Sequence, residues 1–386
     1  MPAPQNTLTT LIPTLYSACQ SVAREIVGFI SAVKTDFDDK AAGLDQSIDV
    51  PISPVQAADN YTPGPYADTG SGRTAEKATV KITKSRKSTF FLTGEQERTL
   101  TAGDSVIATE LFRQSVEQAM RTLVNEVESD VSNIYKTASR AHGNPDAQGN
   151  HVTPFATDLK DVLRMRQILI DNGAPDSDLH LVFDTEAGVN LRAQGQVSKV
   201  NEAGTNNTLR TGSLLDLHGL SLHESAQVKS HVAGTGADYL INAAEGIAAG
   251  SRALTLDTGT GTIVPGDVLS IADTAGKYVV NSALASGSLG LNKPGLVATA
   301  ADNKAVTLSK NYRANVALFR GAAVLVARPP AIDPTPIIET MMVSDQKSGL
   351  TFMICRCLQD GQITYRVHLA WGYKVVQPEF IAVLQG

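Results

Sequence analysis

The chain has 386 residues, of which 42% are hydrophobic and 19% charged, and it carries a net charge of −6. A single hydrophobic core stops growing at roughly 250 to 300 residues, so we expect more than one structural unit. The acidic balance argues against a dedicated nucleic-acid reader, because such proteins gain most of their affinity from Lys and Arg that neutralise phosphates. Weak, local contact with DNA stays open.

The cysteines do not suggest a disulfide framework, because Cys355 and Cys357 are too close in sequence to close a useful loop and only Cys19 remains. This usage is typical of a reducing cytosol. The N-terminus has its first positive charge at Arg24, and Pro13 interrupts its apolar stretch. We therefore expect neither a signal peptide nor a membrane span.

Apolar residues from Leu8 to Val33 recur at three- and four-residue steps, which predicts an amphipathic N-terminal helix. The sequence leaves open whether this helix packs on its own subunit or on a neighbouring one. The predicted apolar face consists of Leu8, Ile12, Tyr16, Cys19, Val22, Ile26, Phe29 and Val33.

The segment 41–78 is rich in Pro, Ala, Gly and Thr, and no compact domain readily absorbs so much irregular chain. Apolar and basic residues alternate in the first half of the following segment, 79–92, as in a strand wetted on one side. Together these segments predict an extended, two-stranded arm. Its basic cluster indicates either a nucleic-acid patch or a solvated or partner-facing strand face, and we favour the second interpretation. The cluster consists of Lys81, Lys84, Arg86 and Lys87.

Asp104 is the predicted N-cap of the longest helix, which continues to about His142 and would be roughly 50 to 60 Å long. Its apolar face is predicted to consist of Ile107, Leu111, Val116, Met120, Leu123, Val127, Val131 and Ile134. A second helix is predicted from Asp158 to about Gly173, and a short buried strand follows at His180–Phe183.

From about residue 239 the composition shifts to Gly, Ala, Thr and Ser, and short alternating apolar runs are separated by turn signals. This pattern is typical of a small β-barrel, and we interpret it as an inserted module. The predicted strands are Ala253–Leu256, Asp267–Ile271, Tyr278–Val280, Ser288–Leu291 and Ala305–Leu308.

The run Leu254–Gly259 matches the apolar-apolar-Asp-Thr-Gly pattern of aspartic proteases, in which two such aspartates share a proton. One chain offers one such motif, so Asp257 would act only in a homodimer. Asp and Gly also favour turns for local reasons, and a turn between barrel strands is the favoured interpretation.

Other candidate sites are weaker. Cys355 and Cys357 would share one face of a strand, too tightly spaced for a zinc knuckle, so we expect buried packing. His218 and His223 would face opposite sides of a strand, with no carboxylate or cysteine cluster nearby to complete a metal site. No phosphate loop, dinucleotide fingerprint or serine elbow is present in the sequence. We therefore predict no catalytic, cofactor-binding or metal-binding residues, and the absence of these motifs disfavours an enzyme.

The C-terminal part contains a strong hairpin signal, because Asp360-Gly361 favours a two-residue turn. The expected pairs are Leu358 with Ile363, Arg356 with Tyr365 and Ile354 with Val367. Upstream, Asn315–Pro330 is predicted to form one apolar strand stopped by two prolines. The run around Trp371 should form one edge of the resulting unit, with the indole packed inside the subunit.

Two segments carry a family resemblance. Asn315–Pro330 resembles the entry into the peripheral domain of tailed-phage major capsid proteins, and the run Ala370-Trp371-Gly372-Tyr373 through Pro378-Glu379-Phe380-Ile381 is similar to the tail of the P22-like coat protein. The resemblance implies an α+β, HK97-like capsid fold with an inserted small β-barrel domain. The implied order is an N-terminal arm helix (1–40), an extended loop (41–100), the spine helix and peripheral domain (101–154), an axial domain (155–235), the inserted β domain (236–312) and a return through axial and peripheral strands (313–386).

The resemblance also implies a function. The chain would be a major capsid protein whose hexamers and pentamers form the icosahedral shell of a tailed double-stranded DNA phage, assembled as a procapsid in the host cytoplasm. The implied partners are further copies of the chain, a scaffolding protein, a portal protein and non-specifically packaged DNA, with a decoration protein left open and no membrane. No catalytic residue carries over, so the resemblance implies a protein that is not an enzyme, and no Lys–Asn cross-link is identified. The alternatives are an aspartic-protease-like enzyme using Asp257 and a secreted β-rich binding protein, which the missing signal peptide disfavours.

Overall fold

The computed structural model describes residues 11–25, 28–37, 41–52, 76–93, 95–96, 106–198, 216–331, 337–345, 349–359 and 362–386. Within these residues the fold is mixed α+β, as predicted. The α-helices are α1 (Ile12–Glu25), α2 (Phe29–Ala32), α3 (Val106–Val131), α4 (Lys160–Asp171), α5 (Thr185–Ala193) and α6 (Gly195–Ser198). Short 3-10 turns lie at Ser132–Thr137, Arg320–Ala322 and Pro378–Phe380.

The strands fall into two large sheets and one small one. They are β1 (Lys34–Phe37), β2 (Ser47–Ile52), β3 (Glu76–Lys81), β4 (Lys84–Leu92), β5 (Arg140–His142), β6 (Leu179–Phe183), β7 (Leu220–Glu224), β8 (Ser230–His231), β9 (Tyr239–Ile241), β10 (Ala253–Asp257), β11 (Val268–Ile271), β12 (Lys277–Ala285), β13 (Ser288–Leu291), β14 (Ala305–Leu308), β15 (Tyr312–Phe319), β16 (Ala323–Arg328), β17 (Ile337–Asp345), β18 (Leu350–Gln359), β19 (Gln362–Val375) and β20 (Ile381–Gln385).

The first sheet, of six strands, is built around β19. Strand β4 runs antiparallel along one edge of β19, and β18 and β16 lie end to end along the other. Strand β17 continues the sheet beyond β18, and β1 continues it beyond β16. All three predicted hairpin pairs of β18 and β19 are present, while Asp360 and Gly361 lie outside the described residues. The run around Trp371 is therefore interior to the sheet, and its prediction as an edge is wrong, because β4 covers the far side.

The second sheet contains twelve strands in the order β11-β14-β9-β10-β13-β12-β5-β20-β15-β6-β7, with β8 beside β15. Because β11 also pairs with β12, the first six strands close into a barrel. The barrel has its own apolar core, which includes Leu254, Ile271 and Tyr278. Every predicted barrel strand is confirmed, and β12 joins the barrel to β5 of the main body.

Two strands pair in the region of the predicted arm, but β4 does not belong to this pair. Strands β2 and β3 form a separate two-stranded sheet, whose Val50 and Val80 pack on Val324 and Val326 of the main body. The chain then leaves this sheet, and β4 joins the first large sheet beside β19. Hydrogen bonding along the whole of β4 to β19 explains why the second half does not extend the arm.

The N-terminal helix is confirmed, but it is broken and its buried face is rotated. Leu15, Cys19 and Val22 are buried on the same subunit, whereas Tyr16 is 40% exposed. The predicted continuous helix to Val33 is wrong, because Gly28, with φ of −91° and ψ of −132°, is not helical and α2 begins after it at Phe29. Leu8 lies outside the described residues.

The central helix α3 is shorter than predicted. It ends at Val131, so its 26 residues span about 39 Å at 1.5 Å per residue. The side chains of Ser132 and Asn133 bond back to the Ser129 carbonyl and compete with helical bonding, and the chain tightens into a 3-10 turn. Residues 140–142 form β5 instead of helix because they pair with β12 and β20. The predicted N-cap, Asp104, lies outside the described residues.

The apolar run Asn315–Pro330 contributes to two strands, and the prediction of one strand is wrong. The 3-10 turn Arg320–Ala322 carries the chain from β15 in the second sheet to β16 in the first. Strand β16 ends at Arg328, just before the two prolines, as predicted. Helix α4 and the fully buried strand β6 also confirm their predictions.

Candidate functional site

The central helix α3 is the element on which distant parts of the chain converge. It packs between α1 and the first sheet within one hydrophobic core. Phe112 on α3 lies 5.8 Å from Phe90 on β4 and 5.0 Å from Tyr365 on β19, measured between ring centroids. Leu111, predicted for the buried face, is 57% exposed, and Phe112 is buried in its place. Aromatic pairs at these separations stabilise the contact beyond their buried area.

Acidic residues on α3 bind the basic strand β4. Lys84 Nζ lies 2.8 Å from Asp130 Oδ1 and 3.5 Å from Glu126 Oε1, and Arg86 Nε lies 3.0 Å from Glu126 Oε1. These two members of the basic cluster therefore pair within the subunit, while the Arg86 side chain stays 56% exposed, as expected for a solvated strand face. The Lys84 side chain is 36% exposed. The other two members of the cluster are exposed.

Glu128 points from α3 into the body and caps α2. The side chain is nearly buried, and its carboxylate accepts hydrogen bonds from the backbone N–H groups of Phe29 at 2.8 Å and Ile30 at 3.0 Å. Burial raises the pKa of Glu128, and the two backbone bonds partly offset that effect. A Cβ at Gly28 would lie 2.9 Å from the Glu128 carboxylate, so this approach requires glycine. Sequence reasoning missed this contact, because nothing local distinguishes Glu128 from the solvated acids beside it.

A chain of polar side chains links β6, β7 and α2. Asp178 Oδ1 lies 3.1 Å from His180 Nε2, His180 Nδ1 lies 2.9 Å from His223 Nε2, and His223 Nδ1 lies 3.4 Å from Ser31 Oγ. Because β6 and β7 pair in parallel, His180 lies between Asp178 and His223, and Asp178 contacts His180 rather than His223. His218 is not on the strand as predicted but in an exposed turn with φ of 52°.

A second buried cluster lies where the barrel meets the body. Asp267 is fully buried and accepts a hydrogen bond from His231 Nε2 at 2.8 Å, while Tyr135 Oη lies 3.1 Å from His231 Nδ1. The Tyr312 hydroxyl donates to the Gly266 carbonyl at 2.5 Å. Burial and the nearby Asp267 raise the pKa of Tyr135 to about 12, so its phenol stays protonated. This cluster ties the loop before β11 to the main body.

The structure assigns structural positions to the protease-like motif at Asp257 and to the cysteine pair Cys355 and Cys357. Asp257 ends β10 and is exposed, and Thr258 follows with φ of 63°, which confirms the turn. Cys355 and Cys357 are buried on one face of β18 beside Met353, which confirms their predicted packing. Burial raises the pKa of the Cys355 thiol to about 11.

Among the residues that the structure describes, no group of three or more His, Cys, Asp or Glu side chains could hold a metal ion. In the same part of the chain, none of the helices combines the length and apolar character needed to cross a membrane.

Comparison with solved structures found capsid structures of low sequence identity. No protein-family model and no curated protein matches this chain. The capsid of cyanophage P-SCSP1u is 11% identical, with a TM-score of 0.46 over 93% of this chain and 88% of that chain. The mature capsid of bacteriophage PhiM1 is 12% identical, with a TM-score of 0.43 over 92% and 86%. A virus-like particle from Pyrococcus furiosus is 10% identical, with a TM-score of 0.42 over 96% and 97%.

Proposed function

We propose that the chain is a major capsid protein of the HK97-like, P22-like kind, which assembles into the icosahedral shell of a tailed double-stranded DNA phage and encloses its genome. The role is structural and requires no catalytic residue. The aspartic-protease alternative gains no support from an exposed Asp257 in a turn.

One observation carries the proposal, namely that the elements follow the order implied by the family resemblance. An N-terminal helix (α1) is followed by a two-stranded arm (β2 and β3), a long central helix (α3), an α/β unit (α4 to β7), a barrel (β9 to β14) and a C-terminal return (β15 to β20). The return enters both large sheets, and the two segments that carry the resemblance form most of β15, all of β16 and the end of β19. These segments therefore belong to the framework that joins the two sheets.

The two-stranded sheet β2–β3 is the proposed contact with neighbouring subunits. Its apolar side is seated on the body, while exposed Asp49 lies 2.6 Å from Lys77 Nζ and accepts a hydrogen bond from Thr79 at 2.7 Å. The hydrogen bond from Lys77 is the main cause of the lowered pKa of Asp49. Stable protein interfaces bury about 1,600 Å² in total, and the exposed side of this sheet would contribute to such an interface without remodelling the core.

The proposed roles of the individual segments use the domain boundaries that the sequence predicts. Residues 41–100 act as the extended loop, 155–235 as the axial domain and 236–312 as the inserted domain. Copies of the chain assemble as hexamers and pentamers with a scaffolding protein and a portal protein in the host cytoplasm, and the finished shell holds non-specifically packaged DNA. A decoration protein would bind outside the shell.

The proposal is tested by assembling the full-length chain with its scaffolding protein and scoring shells by light scattering and negative-stain imaging. Wild type is expected to form closed shells, and Asp49→Lys to form several-fold fewer, because it places like charges together across the hairpin. Asp273→Lys is the matched control, since Asp273 is an exposed carboxylate 2.5 Å from Lys304 on the barrel. Failure of wild type to form shells would refute the function. Equal assembly of all three proteins would refute only the contact through β2–β3.

A further inference from the structure

Residues 28–33, which contain α2, are held by side chains from three distant parts of the chain. Glu128 accepts hydrogen bonds from the backbone at the start of α2. The Arg320 guanidinium donates to the Ser31 carbonyl at 3.1 Å, and His223 faces the Ser31 hydroxyl. Histidine changes its charge between about pH 5 and 8, so one of these contacts can respond to protons near neutrality.

The four side chains from Asp178 to Ser31 form a row of contacts, and the hydrogen atoms available to these contacts can be counted. The Ser31 hydroxyl donates to the Gly28 carbonyl at 2.7 Å, so its oxygen presents a lone pair to His223 Nδ1. A carboxylate only accepts, so His180 Nε2 carries the hydrogen that faces Asp178. His180 Nδ1 then accepts from His223 Nε2. With both rings neutral, no hydrogen remains for the His223 Nδ1 contact with Ser31, and one added proton supplies it.

The surroundings direct that proton to His223. Burial lowers the pKa of His180, which is 3% exposed, whereas His223 is only half-buried. Asp178 and Asp216 favour positive charge on the pair, while Arg320, 3.7 Å from Asp178, opposes it. Among the described residues, the charged groups near this region also include Glu128 on α3 and Glu224 on β7, the latter paired with Arg192 at 2.5 Å.

We propose that His223 is a proton-operated latch for the N-terminal segment: when it takes up one proton, Nδ1 donates to Ser31 Oγ and holds residues 28–33 more tightly against β7. By linkage, the docked segment raises the proton affinity of His223. The added stability of the docked segment is therefore fully present below the ordinary titration range of histidine. It is lost as the pH rises through the raised titration midpoint of His223. The latch needs only the fold of one chain and does not depend on shell formation.

The test is an NMR titration of the histidine side chains in the full-length, unassembled protein, with His223 assigned through His223→Gln. The titration midpoint of His223 is expected to be higher in wild type than in Ser31→Ala, which removes the acceptor of the added N–H. Ser132→Ala is the matched control, because the Ser132 hydroxyl bonds the Ser129 carbonyl and lies outside this chain of contacts. An equal or lower midpoint in wild type would overturn the proposal.

Hydrogen exchange provides a second test that does not rely on Ser31→Ala folding. Backbone amides of residues 29–33 are compared in wild type and His223→Gln from about pH 8 to about pH 6, after correction for the intrinsic exchange rate. Titration of Glu128 affects both proteins and cancels in the ratio of their protection factors. The ratio should increase in favour of wild type as the pH falls, and a ratio independent of pH would overturn the latch.

Discussion

The indole N–H of Trp371 donates a hydrogen bond of 2.9 Å to Asp130 Oδ2, and this bond joins the central strand of the first sheet to the central helix. The other oxygen of Asp130 accepts from Lys84 at 2.8 Å. One carboxylate therefore fastens α3 to both β19 and β4. Trp371 is fully buried, so this contact lies inside the framework that contains the run Ala370-Trp371-Gly372-Tyr373.

Asp130→Ala should destabilise the protein by about 1–3 kcal/mol, because it leaves the buried indole N–H without its acceptor. Asp130→Asn keeps an oxygen that can accept from the indole N–H, so it should lose less stability than Asp130→Ala. Urea unfolding followed by circular dichroism measures the difference, with Glu110→Ala as a control for loss of a more exposed acid on the same helix. A free energy of unfolding for Asp130→Ala equal to that of the control would show that the bond contributes nothing.

Trp371 should resist collisional quenching in the folded protein. Its side chain is fully buried, so iodide is expected to leave the native tryptophan fluorescence nearly unchanged and to quench it strongly after unfolding in urea. The chain contains one tryptophan, so the signal reports this site alone. Strong quenching of the native protein would mean that the C-terminal framework is open.

The thiols of β18 should be inert in the native state. Burial raises the pKa of Cys355 to about 11, so about one thiol in a thousand is ionised at pH 8, and only the thiolate reacts. Ellman's reagent should detect little fast reaction before denaturation and all three cysteines afterwards, since none of them is in a disulfide. Leu358→Cys is the control, because position 358 is 53% exposed on the same strand and should react at once. Rapid reaction of the wild-type thiols would contradict the packing of this face.

Asp257→Asn should change the free energy of unfolding by less than about 0.5 kcal/mol, because the side chain is exposed in a turn. Shell assembly with the scaffolding protein should also be unaffected. Peptide hydrolysis by wild type that disappears in Asp257→Asn would instead favour the aspartic-protease alternative.

Glu128 should make stability depend on pH. Burial raises its pKa in the folded state, so the unfolded chain releases this proton at lower pH than the folded one. The stability of wild type relative to Glu128→Gln, which does not titrate, should therefore fall as the pH rises from the ordinary glutamate value of about 4.3 to the raised value. Urea unfolding of both proteins across this pH range measures the difference between their free energies of unfolding. A relative stability that rises with pH would show that the two backbone hydrogen bonds outweigh burial.

Local signals in the sequence predicted the elements that local chemistry determines. Turn residues and alternation predicted the barrel strands, and the turn signal Asp360-Gly361 predicted the register that β18 and β19 adopt. Contacts between distant segments decided the rest: β5 forms at 140–142 because β12 and β20 flank it, although helical periodicity extends nearly that far. The pairing of His180 with His223 could not be predicted, because no local feature fixes the register of parallel strands joined by a long connection.

The most direct test of the proposed function is sedimentation velocity and cryo-electron microscopy of the full-length chain, expressed alone and together with its scaffolding protein. The account predicts fast-sedimenting particles that are closed icosahedral shells, with subunit density that fits α3, both large sheets and the six-stranded barrel. A chain that remains monomeric at every concentration, with and without the scaffolding protein, would contradict it.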